Sequence, residues 1–227
     1  MGSKKFRDVP CVYCAMRVAT SADHVFAREF FTLSERSALP KVPACAVCNS
    51  RKSVLEHYLT TVLPFGGRHD SASEMLSAYV PRRLSKNLPL HRQLCDGRIS
   101  VASTANDASE QALAFPIEHT KLEEYFTLIA KGLAWYHWKV LLGNDDVIQV
   151  TFLTHAGERY FEKNPLNLSA LQAVRGELGG RTITYEGRQG FGCPQVTVWR
   201  IEMYGGLEVI ADATSLSTKA RCIGILT

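Results

Sequence analysis

Apolar positions recur at helical spacing in two stretches of the chain. Val54, Leu55, Tyr58 and Val62 follow one another at three- and four-residue steps after Asn49, and Pro64 with Gly66-Gly67 closes the run. A helix is therefore expected from Asn49 to about Pro64, with Asn49, Ser53 and His57 near one face. The second stretch opens on the capping box Thr120-Lys121-Leu122-Glu123 and carries Leu122, Phe126, Ile129, Leu133 and Val140, widened by Tyr125, Trp135 and Trp138. It predicts a helix ending at Gly143, buried on most sides. Core packing outweighs base stacking as the role of Trp135, Tyr136 and Trp138.

Shorter helices are predicted over Ser71–Pro81, 155–163 and 168–178, the last stopped by Gly179-Gly180. Residues 81–100 read as a basic connector, and 102–110 as a small, polar boundary stretch. Alternating patterns predict strands over 147–153, 181–186, 195–204, 207–212 and 221–226, with Gly205-Gly206 as a hairpin signal. Short extended pieces surround Cys11–Phe26 and Val42–Ala44. The class expected is α+β, in three stretches: residues 8–65, a connector over 66–115 with one short helix, and a helix plus mostly antiparallel sheet over 116–227.

Charge divides these stretches. Residues 1–100 hold 15 Lys+Arg against 8 Asp+Glu, net +7, and residues 101–227 hold 11 against 14, net −3. A basic face invites a polyanionic partner, nucleic acid foremost, and is equally a solvated surface when read alone. No apolar run reaches the roughly 20 residues that span a bilayer, and Met1–Arg7 lacks the apolar core of a signal peptide. A cytoplasmic location is the default expectation.

Cysteine spacing changes the picture most. Of seven cysteines, four form two Cys-x-x-Cys pairs, Cys11/Cys14 and Cys45/Cys48, while Cys95, Cys193 and Cys222 are scattered. Two such knuckles predict one closed, tetrahedral structural zinc site that holds the fold and performs no chemistry. Between the pairs lies Asp23-His24, and Asn49 follows the last cysteine directly. A lone Asp-His pair carries little information; between two knuckles, with an asparagine opening a helix, it carries more. His119, His137 and His155 are isolated and read as structural or surface residues.

Cys11-x-x-Cys14, Asp23-His24-Val25 and Cys45-x-x-Cys48-Asn49-x-x-Lys52 together resemble the HNH endonucleases, in the subgroup whose ββα-metal fold is pinned by four cysteines. The resemblance covers about residues 8–65. It implies an N-terminal ββα-metal module and metal-dependent hydrolysis of DNA phosphodiesters. His24 would be the general base. Asp23 and Asn49 would hold one catalytic magnesium or manganese ion, with His57 a further candidate ligand. Arg28, Arg51 and Lys52 are the candidate phosphate contacts. Where the family pattern places its middle asparagine, this chain has Pro40, so another group must orient His24. That departure keeps open a non-catalytic zinc module that binds nucleic acid or protein. Small HNH proteins with an extra domain suggest an antiphage-defence or mobile-element effector, with a partner protein or oligomer contact through the C-terminal region.

Overall fold

The structure is a computed structural model that describes residues 6, 8–102, 111–153, 155–163, 172–207 and 222–227. Its first elements are a short antiparallel pair, β1 (Ser21–His24) and β2 (Lys41–Ala44), followed at once by helix α1 (Ala46–Val62). The register sets His24 opposite Lys41 and Asp23 opposite Val42. α1 begins three residues before Asn49, because Cys45 serves as its N-cap: the thiol sulfur accepts from the Cys48 amide. Leu55, Tyr58, Leu59 and Val62 turn inward, whereas Val54 stays 65% exposed.

The stretch read as a connector is largely helical. α2 (Asp70–Glu74) runs through a π-helical turn at Met75–Tyr79 into α3 (Val80–Lys86), and α4 (Leu88–Gly97) follows. Pro81 does not end the helix because it occupies the first turn of α3, where a missing N–H costs nothing. Asn87 then caps α4 by accepting from the Leu90 amide at 3.2 Å, with Pro89 in the first turn. β3 (Ile99–Ala102) pairs with β4 (Gln111–Ala114), and most of the polar boundary stretch lies outside the described residues.

Helix α5 (His119–Trp138) is the axis of the molecule. Leu122, Tyr125, Phe126, Ile129, Ala130 and Leu133 are fully enclosed. The helix ends five residues before Gly143, because Lys139 takes a left-handed conformation (φ 58) and returns its amide to Trp135. On one side α5 meets the β1–β2 module. A Cβ at Gly132 would stand 3.1 and 3.2 Å from the Val25 methyls, and the Ala27 amide donates to Tyr125 Oη at 3.3 Å.

On its other side lies a five-stranded antiparallel sheet, ordered β5 (Gln149–Leu153), β9 (Cys222–Leu226), β8 (Cys193–Met203), β7 (Ile183–Gly190), β6 (Ala173–Leu178). Trp199, Ile201, Met203, Ile223 and Ile225 join one hydrophobic cluster with α5, α1 and the cysteine knuckles. The opposite sheet face holds a smaller cluster of Leu153, Val198 and Cys222 with Phe161 of helix α6 (His155–Lys163). One core therefore unites the three stretches inferred from sequence.

The helix expected over 168–178 is instead strand β6 from Ala173 onward; residues 164–171 lie outside the description. Val174, Gly176 and Leu178 alternate with Arg175 and Glu177, a period of two, and Gly179-Gly180 (φ 56 and 55) turn the chain into β7. The strand expected over 207–212 lies, beyond Leu207, outside the described residues. The fold is α+β, and among the described residues no helix is long and apolar enough to cross a membrane.

Candidate metal centre and the Asp23–His24 site

The first knuckle bends because Ala15 adopts a left-handed conformation (φ 56), which lets its amide bond back to Cys11 O at 2.8 Å and the Cys11 amide reach Arg17 O at 2.7 Å. The second knuckle is the first turn of α1. The two are tied together by Val12 N to Pro43 O at 3.0 Å. The sulfurs of Cys11, Cys14, Cys45 and Cys48 consequently lie within 4.8 Å of one another. Tetrahedral zinc with Zn–S near 2.3 Å needs sulfurs about 3.8 Å apart, so the quartet fits with small adjustment. Burial opposes ionisation of Cys14, but the amides of Arg17 and Met16 outweigh it and bring the thiol down to about 7. Among the described residues no other group of three or more His, Cys, Asp or Glu is close enough to hold a metal.

Lys131 of α5 closes the centre from behind. Its residue is 5% exposed, and its ammonium donates to Gly143 O at 2.7 Å and Tyr13 O at 3.3 Å. Burial lowers its pKa, while the field of Asp146 first, and then of Cys14, Cys48 and Cys11, works in the opposite direction. A zinc tetrathiolate carries a net charge of −2, so a buried cation beside it offsets charge that solvent does not reach. Lys131→Met is expected to lower stability by about 1–3 kcal/mol, and to speed zinc transfer to a chromogenic chelator. A melt and a chelation time course check both.

Next to this centre, β1 presents Asp23 and His24 on alternate sides. Asp23 faces α1. Its Oδ2 accepts from Tyr13 Oη at 2.6 Å and lies 3.0 Å from Lys52 Nζ. Lys52, expected to touch phosphate, is instead wholly buried (0% exposed) and unable to do so. Its ammonium also donates to His24 O at 2.7 Å and to Glu56 Oε1 at 2.5 Å. The rings of Tyr13 and Tyr125 flank it, each centroid 5.8 Å away. Burial pushes the Glu56 carboxyl upward despite Lys52, with Asp23 and Glu29 adding to the rise.

The His24 ring is half-buried and bonded to no described side chain. Burial, then the charges of Lys41, Arg28 and Lys52, lower its pKa against the pull of Asp23. At neutral pH the ring is therefore neutral and able to accept a proton. Pro40 keeps part of an asparagine's work, since its carbonyl accepts from the Val25 amide at 2.9 Å. The other anchor of this backbone is Lys52, through the His24 carbonyl.

The remaining site residues are distributed as follows. Asn49 is half-exposed; its amide nitrogen reaches Ser21 Oγ on β1 at 3.5 Å, leaving its carbonyl oxygen open. Arg28 is exposed on a 3-10 turn (Arg28–Phe30) beyond β1 and contributes to the field at His24. Arg51 is 70% exposed and paired with Glu124 of α5, on the rim of an apolar cleft between α5, β5 and β9. His57 is exposed, and the α1 positions turned toward Asp23 are Lys52 and Glu56. Sequence reasoning missed Tyr13 and Glu56. A tyrosine inside the first knuckle and a Lys-x-x-x-Glu pair on one helix face were the available signals. Comparisons with family models, curated proteins and solved structures find no match to this chain.

Proposed function

We propose that the chain is a divalent-metal-dependent endonuclease of HNH type acting on DNA. The observation that carries this reading is the setting of His24. A neutral imidazole, engaged by no described side chain, follows Asp23 on β1, opposite Lys41 in register and within the fields of Lys41 and Arg28. In this reading a ring nitrogen of His24 takes the proton from a water that attacks the phosphorus. Arg28 and Lys41 hold the flanking phosphates, which fixes position without reading sequence. Asp23 offers its free Oδ1 and Asn49 its open carbonyl oxygen, and two hard oxygens suit magnesium or manganese. A magnesium or manganese ion held there would bind the scissile phosphate and offset charge on the leaving 3′ oxygen. The four-cysteine centre holds β2 and α1 in register and takes no part in the reaction.

Asn49→Ala tests the ligand assignment. The concentration of Mg2+ or Mn2+ giving half-maximal cleavage is expected to rise at least about tenfold, with zinc content unchanged. A variant that cuts at the parent's metal concentration removes Asn49 from the site.

One observation favours a second reading, a non-catalytic zinc module. Asp23 Oδ2 is already taken by Lys52 and Tyr13, which leaves that carboxylate a single oxygen for a metal. DNA binding that persists in EDTA, with no cleavage under any divalent ion, distinguishes it from the first.

A further inference from the structure

We infer that Lys52 is a built-in cation: its ammonium fills the space between Asp23, Glu56 and the His24 carbonyl and positions the Asp23–His24 pair in place of an external ion or side-chain amide. Four observations carry this. The side chain is completely buried, a condition a lysine seldom meets unless its charge is matched. The three oxygens around Nζ, at 2.5–3.0 Å, come from β1 and from the next turn of α1, so the ammonium joins the two elements that carry the site. Tyr13 and Tyr125 wall it from two sides and leave the three oxygens as its polar partners. Finally, Pro40 brings no side-chain amide to the Asp23–His24 segment, whereas Lys52 supplies a fixed donor to the carbonyl of the histidine itself.

The consequence is specific. With Lys52 in place, Asp23 is held by its Oδ2 and keeps Oδ1 alone for a divalent ion, which would make for weak ligation through one oxygen. Without the ammonium, Asp23 and Glu56 lose their shared counter-charge, and a hard divalent cation reaching both side chains is the replacement that keeps them ionised. A lysine that merely holds structure gives no such gain when removed. A lysine that contacts phosphate would weaken DNA binding and reduce its salt dependence instead.

Lys52→Met, which keeps the length of the stem and removes the charge, separates these cases. Mn2+ binding is followed by EPR, with cleavage, zinc content and a melt measured alongside. Binding is expected to tighten by about tenfold while cleavage falls by about 10²-fold at unchanged KM for DNA. Lys52→Arg is expected to retain the parent's weak Mn2+ binding. Should the methionine variant fail to fold, Lys52→Gln, which keeps a hydrogen-bond donor without the charge, takes its place in the same titration. The cleavage arm rests on the nuclease reading and the Mn2+ arm does not. Tighter Mn2+ binding in a chain that never cuts DNA supports the built-in cation and sinks the nuclease. Mn2+ binding that is unchanged or weaker in both neutral variants overturns the inference.

Discussion

His24→Ala is expected to cut DNA at least about 10³-fold more slowly than the parent, with metal content, melting temperature and DNA affinity preserved. General bases contribute about 10²–10⁴-fold. The adjacent carboxylate is tied to Lys52 and Tyr13, and Glu56 is bound on the α1 side of the strand. The ring makes no hydrogen bond to a described side chain, so truncating it breaks no internal contact of that kind. Loss of activity in this variant therefore reports chemistry rather than folding. If His24→Ala cleaves like the parent, the base lies elsewhere.

The second large effect concerns stability. Cys11→Ala removes one of four sulfurs from a centre whose zinc, by analogy with small zinc-bound domains, would contribute about 10–16 kcal/mol of apparent binding free energy. That equals or exceeds the roughly 5–15 kcal/mol by which ordinary domains are stable. Cys11 is fully buried, and its neighbours Val12 and Tyr13 pack into the cluster shared with α5 and the sheet. Loss of zinc is thus expected to unfold the whole chain and not the knuckles alone. Colorimetric zinc analysis with circular dichroism on parent and variant checks this. A variant that melts as the parent does, without zinc, contradicts a structural metal.

Much of the frame was legible because it rests on local rules. The two knuckles follow from cysteine spacing, which acts through geometry that a single sequence displays. The bodies of α1 and α5 follow from apolar periodicity, and β7, β8 and β9 from alternation. The misreadings lie where one pattern satisfies two periods. Leu171, Val174 and Leu178 recur at helical steps, yet Val174 to Leu178 also alternates, and pairing with β7 decides for the strand. Pro81 looked like a stop because a π-helical turn, which sequence does not announce, shifts it to the start of a new helical segment. The end of α5 at Lys139 is a similar case, since a lysine in a left-handed cap has no reliable signal in sequence.

The site was half legible for a related reason. Asp23, His24 and Asn49 stand out by residue type and order. Lys52 does not, because a lysine on a helix surface reads as solvent-facing until its surroundings are known. Its partners His24 and Asp23 lie on a strand that the knuckles fold back against α1, 28 positions from Lys52 in the case of His24. Burial of Lys131 in the stripe of α5 depends in the same way on the first knuckle, 118 positions earlier. Residue type gave the chemistry available; the long-range contacts decided which cation meets solvent and which is enclosed.

The central claim is that a zinc-pinned module holds a working, divalent-metal-dependent nuclease site at His24. The most direct test is the conversion of supercoiled plasmid to open-circular or linear forms by zinc-loaded parent and His24→Ala protein at equal concentration. Each is run with Mg2+, with Mn2+ and with EDTA. The expected result is cleavage by the parent under Mg2+ or Mn2+, none in EDTA, and none above background from the variant. Equal cleavage by both proteins, or intact plasmid with the parent under both ions, contradicts it.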